Sequence, residues 1–176
     1  MKKIFLIAGI MTSGMAFSQL AIGVDQTTSA SVSLEFGTEP RGLLLPWVTN
    51  QNDVVNPANG TMIYDAAAKK VKVKLASGWQ DLSIEPGTTV NPLSNVDGMA
   101  IQSSLTDFPD SKMSIGEPSD VDGILVLEDT NKAMVLPKVA SPHQNILNPS
   151  PGLMVYDTDS GQLAVFNGAV WTYWKP

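Results

Sequence analysis

The sequence predicts an all-β protein: two similar small β-meander modules joined by a polar, proline-containing linker. Three observations predict it. The phrase NPANGTMIYD, from Asn56, returns as NPSPGLMVYD, from Asn148. Each copy is followed by short β-rich runs and a tryptophan, Trp79 or Trp171. No long amphipathic helix pattern occurs after the first 18 residues.

The chain opens with MKKIFLIAGIMTSGMAFSQ. Lys2 and Lys3 precede an apolar run too short to span a bilayer, and Ala16-Phe17-Ser18 has the small-x-small pattern of a cleavage site. Residues 1–18 are therefore predicted to be a signal peptide, with Gln19 first in the mature chain. Without Lys2 and Lys3, nine basic residues face 17 acidic ones, a formal charge of −8. That balance argues against nucleic-acid binding and against adsorption to an anionic membrane surface. No second apolar stretch approaches spanning length. With no cysteine there is no disulfide framework, no thiol nucleophile, no Cys metal site and no lipid-anchor cysteine. The expected location is the periplasm, the outer membrane through a partner, or the outside of the cell.

The repeat holds register over a gap-free block at an offset of 92 positions. Gly60 answers Gly152, Tyr64 answers Tyr156, Asp65 answers Asp157, Val73 answers Val165, and Trp79 answers Trp171. Upstream, with small slips, GLLLPWV (from Gly42) answers AMVLPKV (from Ala133), and the Ile-Gly of Ile22 answers that of Ile115. The predicted organisation is a first module over 19–82, a linker over 83–114 and a second module over 115–176.

Each module justifies its elements. LLLP and MVLP supply a strand ended by Pro46 or Pro137, since proline has no donor for a ladder. One helical turn is predicted around Val54-Val55 or Ile146-Leu147, broken by the following Asn-Pro. TMIYD and LMVYD are strands ending at an Asp that starts a turn. KVKVKL alternates, placing Val71, Val73 and Leu75 on one face and Lys70, Lys72 and Lys74 on the other. That lysine stripe reads as a solvated face that blunts a sheet edge, with Asp97, Asp107 and Asp110 of the linker as weaker partners. Asn167-Gly168 signals a tight hairpin before the last strand.

Candidate chemistry is sparse. His143 is the sole histidine, in a loop with no equivalent in the first copy, and reads as a surface residue. Asp157 and Asp159 with Gly161 have the spacing that opens calcium loops, but a turn role accounts for them, and the first copy has Ala67 and Lys69 there. No nucleophile-elbow, phosphate-loop or zinc-protease motif occurs. No catalytic residue, cofactor or metal is predicted. Trp79 and Trp171, beside Tyr64 and Tyr156, read as a repeated aromatic core pair. Trp47 and Trp174 have no aromatic counterparts at Lys138 and Leu82, and with Tyr173 they are the candidate interaction residues. The closing VWTYWKP carries large aromatics on both strand faces, so a partner chain is expected to cover it.

The run IGVDQTTSASVSLEF…RGLLLPWVT…NPANGTMIYD…GW resembles a repeat unit of poorly characterised secreted and surface proteins of Bacteroidota-type bacteria, also seen in tail-fibre-like proteins. Both copies match most of that pattern, although Pro46-Trp47 and Pro137-Lys138 replace its Pro-Arg. The resemblance implies an extracytoplasmic structural or adhesive role, sometimes with trimeric fibre assembly, and no catalytic residues. The resulting expectation is a non-enzymatic structural or interaction subunit of the cell envelope or surface. It would act with a protein partner or as a homo-oligomer. The alternative is a carbohydrate-binding module in which exposed tryptophans hold a glycan.

Overall fold

The computed structural model describes residues 19–102, 105–106, 111–116 and 119–175. The predicted signal peptide and the linker residues Asp107, Pro109 and Asp110 lie outside the described residues. The first copy contributes β1 (Leu20–Ile22), β2 (Val32–Phe36), β3 (Leu43–Leu44), β4 (Trp47–Val48), β5 (Met62–Asp65), β6 (Lys70–Leu75) and β7 (Gly78–Asp81). The second contributes β8 (Met113–Gly116), β9 (Leu125–Glu128), β10 (Ala133–Val135), β11 (Lys138–Val139), β12 (Leu153–Asp157), β13 (Gln162–Phe166) and β14 (Trp171–Trp174). The fold is all-β, with only short helical turns between strands. Among the described residues no helix is long and apolar enough to cross a membrane.

The two meanders are the same object built twice. In β5–β6–β7, Met62 pairs with Val73, Tyr64 with Val71 and Lys74 with Trp79. In β12–β13–β14, Met154 pairs with Val165, Tyr156 with Leu163 and Phe166 with Trp171. Every one of these pairs maps onto its counterpart at the offset of 92. The turns repeat too. Asn56 and Asn148 both take the left-handed conformation (φ 48° and 51°), as do Lys69 and Gly161 (φ 56° and 67°). Asn enters that region at little cost, which is why each Asn-Pro works as a turn rather than a simple helix stop.

Several expectations are corrected. The helical turns lie just before the predicted spots, at Gln51–Asp53 and Pro142–Asn145. They are equivalents differing by one residue, so the His143 loop does have a counterpart in the first copy. The hairpin at Asn167-Gly168 forms, but Phe166 pairs with Trp171, leaving a four-residue loop. The Asn167 side chain accepts from the N–H groups of Ala169 and Val170 (2.9 and 2.8 Å), which the two-residue turn would not allow. The lysine stripe is neither solvated nor on an edge. β6 is an inner strand of the order β4-β5-β6-β7. Lys72 is buried across from Ile63, and Lys70 and Lys72 both pair with Asp81 of the neighbouring strand (2.8 and 2.7 Å). Nor do Trp79 and Tyr64 share a core. Their rows on the sheet are an odd number apart, so alternation puts them on opposite faces. The same holds for Trp171 and Tyr156.

Parallel pairing was absent from the sequence reading. β4 and β11 run parallel to β5 and β12 (Trp47 to Tyr64, Lys138 to Tyr156). β1 pairs parallel with β2, and β8 with β9. The two copies also exchange strands. β3 of the first copy adds antiparallel to β12 of the second, Leu43 opposite Met154 and Leu44 opposite Leu153. β10 of the second adds parallel to β2 of the first, Met134 opposite Leu34.

The core lies between the two meanders, which stack like successive coils. Tyr64 and Val71 of the first face Met154 and Val165 of the second, with Leu45 beside them. All five are nearly sealed from solvent. The Tyr64 hydroxyl donates to the Asn167 carbonyl at 3.1 Å. Burial, and secondarily the charge of Asp65, pushes the Tyr64 pKa up to about 12, so it stays a donor at any physiological pH. Asn167 ties a third segment in. Its side-chain amide donates to the Glu85 carbonyl (2.6 Å), and its own carbonyl accepts from the Thr88 N–H (3.2 Å). The segment after β7 can approach this closely because residue 87 is Gly: a Cβ there would sit 1.7 Å from the Asn167 oxygen.

Asn167 thus satisfies polar groups on three segments at once. Replacing it with Ala leaves the Glu85 carbonyl and the Ala169 and Val170 N–H groups without that partner. Asn167→Ala is expected to cost at least about 2 kcal/mol of stability, read as a lower midpoint in urea unfolding, whereas Asn145→Ala on the exposed loop should change it by under about 0.5 kcal/mol.

Candidate functional site

The site begins from what the two copies do not share. On the outer face of the first meander, away from the core, the ion pairs of Asp81 with Lys70 and Lys72 lie over Ile63. Burial works against the Asp81 charge, but the hydrogen bonds and charges of the two lysines win and hold its carboxyl below the usual range. In the second meander the same positions are Gln162, Ala164 and Tyr173. The ion-paired cover is gone, and a small residue stands where the Lys72 stem lay.

The result is an open cup of about 530 Å³, lined by Trp171, Tyr173, His143 and Gln162 among others. Trp171 and Tyr173 pack against Val139, Val155 and Ala164, which are buried beneath them. Trp171 is braced by Phe166, ring centroids 5.2 Å apart. Tyr173 meets His143 edge-on, with its hydroxyl 3.2 Å from His143 Nδ1. Burial, then the nearby charge of Asp157, raises the Tyr173 pKa. The arrangement is two half-buried aromatic rings with polar groups at the rim.

Asp157 closes one side of the cup. It is 3% exposed. Its carboxylate accepts from the N–H groups of Ser141 and Asp159 (both 3.0 Å) and from the Ser160 hydroxyl (2.7 Å). Burial opposes its ionisation, but those donors prevail and its pKa lies below the ordinary 3.8. Asp65 does the same work in the first copy, accepting from Gln51 and Ala68 N–H. Asp159 accepts from the Ser141 hydroxyl (2.6 Å). Both carboxylates of the calcium-like spacing thus organise a turn. Among the described residues no group of three or more His, Cys, Asp or Glu converges as a metal site.

The three candidate interaction residues are dispersed. Trp47 is half-buried between the copies, its ring 5.1 Å from that of Tyr64 and its indole N–H donating to the Pro151 carbonyl at 2.6 Å. Trp174 remains at the surface, but its indole N–H donates to the Leu82 carbonyl at 2.6 Å. Tyr173 alone reaches the cup, beside Trp171, which the sequence assigns to a core pair, and Gln162, which nothing in the sequence by itself marks. The signal was present in the aligned copies, where Lys, Lys and Asp give way to Gln, Ala and Tyr.

Residues 113–176 match a protein-family model described as a phage tail-like trimerisation region. The matched segment runs from β8 to the chain end and includes the cup. No curated protein and no solved structure matches the chain.

The lowered pKa of Asp157 carries a sign. A carboxyl whose folded pKa lies below its unfolded value stabilises the fold above the unfolded value, and that contribution fades as pH falls through the folded one. The melting-temperature gap between wild type and Asp157→Asn is expected to be constant above about pH 5 and to shrink steadily below about pH 4. Thermal melts across that range measure it.

Proposed function

We propose that this chain is an exported, non-enzymatic structural subunit that assembles with copies of itself into a trimer. One observation carries the reading: the segment that resembles a trimerisation region begins at a strand pair with both edges open. β8 and β9 hydrogen-bond only to each other among the described strands. Parallel sheets are normally covered on both faces, and a two-stranded sheet is marginal by itself. Here Met113 and Ile124 stand 56% and 66% exposed. Such a pair wants a partner surface, and the family match favours another copy of the same chain. Export rests on the reading of residues 1–18, and an envelope or surface location follows from it.

Native mass spectrometry on the chain from Gln19 onward should find the mass of three chains. A monomer at every concentration up to about 100 μM would overturn the trimer, since stable structural assemblies hold well below that.

The cup favours a second reading, that the assembled subunit holds neutral glycans. The apolar C–H face of a pyranose stacks on an aromatic ring while its hydroxyls meet polar groups at the edge. Trp171 and Tyr173 offer the rings and Gln162 the edge. Titration with neutral oligosaccharides should change tryptophan fluorescence in wild type and not in Trp171→Ala; no change with any sugar would dismiss it.

A further inference from the structure

We infer that the contact between chains repeats the contact already present inside each chain, so that the copies join head to tail. The inference rests on the self-assembly reading above and adds the surface and its register.

The internal contact has two sides. The first copy presents Tyr64 and Val71, and the second receives them with Met154 and Val165. Each copy also carries, on the same face, the counterpart positions, which the internal contact covers only in part. In the second, the positions of Tyr64 and Val71 are Tyr156 and Leu163. In the first, the positions of Met154 and Val165 are Met62 and Val73. Burial records the difference. Tyr64 is 0% exposed, while Tyr156 is 40% exposed on the same kind of face. Met154 is buried, while Met62 is only partly so.

The strand edges tell the same story. β3 adds to the start of β12, but its counterpart β10 adds nothing to the start of another β12-type strand. The start of β5, at Met62, lies opposite no added strand, although β3 occupies that place on β12. β2 receives β10, but its counterpart β9 has an open edge, and so has the far side of β3. Among the described residues, four open edges thus form two complementary sets, one on each copy. Leu44 on β3 and Leu125 on β9 are exposed accordingly.

Transferring the internal register fixes the contact. Leu43 opposite Met154 becomes Met134 opposite Met62 of the partner subunit. Leu34 beside Met134 becomes Leu127 beside Leu43 of the partner subunit. The Tyr156 face stacks on the Met62 and Val73 face of the partner subunit. A contact between two different surfaces closes into a ring or runs on as a filament. Three chains of two coils each close as a ring of six coils.

The chain has no cysteine, so an engineered pair reports cleanly. Facing residues on antiparallel strands lie within disulfide reach. The double variant Met62→Cys with Met134→Cys, oxidised and run without reductant, should give covalent dimers and trimers. The pair Val55→Cys with Leu147→Cys should give neither. A second variant needs no cross-link. Tyr156→Asp should keep the strand signal in circular dichroism while raising the concentration for half-assembly at least about tenfold, and Tyr156→Phe should assemble as wild type does. If wild type is a trimer but residues 62 and 134 do not cross-link, or Tyr156→Asp assembles normally, the head-to-tail contact is wrong and the trimer stands. If wild type is a monomer, both fall.

Discussion

The hydrogen bond from Tyr64 to the Asn167 carbonyl is the point on which the fold turns. A phenol buried this deeply must donate somewhere. Its acceptor lies on a loop of the other copy, and that loop is held in shape by the Asn167 side chain, which also anchors the chain leaving β7. The stacking of the two meanders, the path of the segment between them and the shape of the last hairpin are therefore set together. Loss of any one leaves a polar group of another without its partner.

Around that point the copies keep their skeleton and change their surfaces. What is common is backbone logic: an Asn in the left-handed region before Pro, and a buried Asp that gathers the N–H groups of two turns. What differs is the outer face. In the first copy charge neutralises charge over an aliphatic floor, and the surface is closed. In the second, aromatic rings instead of ion pairs lie over the buried residues. Scaffold positions are fixed by hydrogen bonds that any copy must make. Surface positions are fixed only by what lies outside.

Much of the scaffold was legible. Strict alternation in KVKVKL and the Asn-Pro phrases gave the meanders, and the Asn-Gly turn gave the last hairpin but not its four-residue loop. The parallel strands were not legible, because Trp47–Val48 and Lys138–Val139 are two residues long and carry no period of their own. Strand exchange was invisible for a related reason: Leu43-Leu44 reads as apolar and extended whichever sheet it joins. Lys72 misled because alternation gives the face and not what covers it, and a lysine stem with its amine on Asp81 covers Ile63 as well as an apolar chain would. Trp47 was read as exposed for want of an aromatic counterpart, yet that asymmetry reflects its seat between copies that are not in equivalent surroundings. The cup was legible only by setting the copies side by side, since no single residue of it is unusual.

The strand that β3 gives to β12 also separates two things often taken as one. The stretch of chain that was duplicated runs from Ile22 to Leu82 and again from Ile115, but no stretch so bounded is a complete structural part. Each has a vacant position beside its central strand and a strand to fill another's. A gene encoding one such stretch would have made a protein that was whole only in company. Within this single polypeptide each copy supplies the other with a strand, β3 to β12 and β10 to β2.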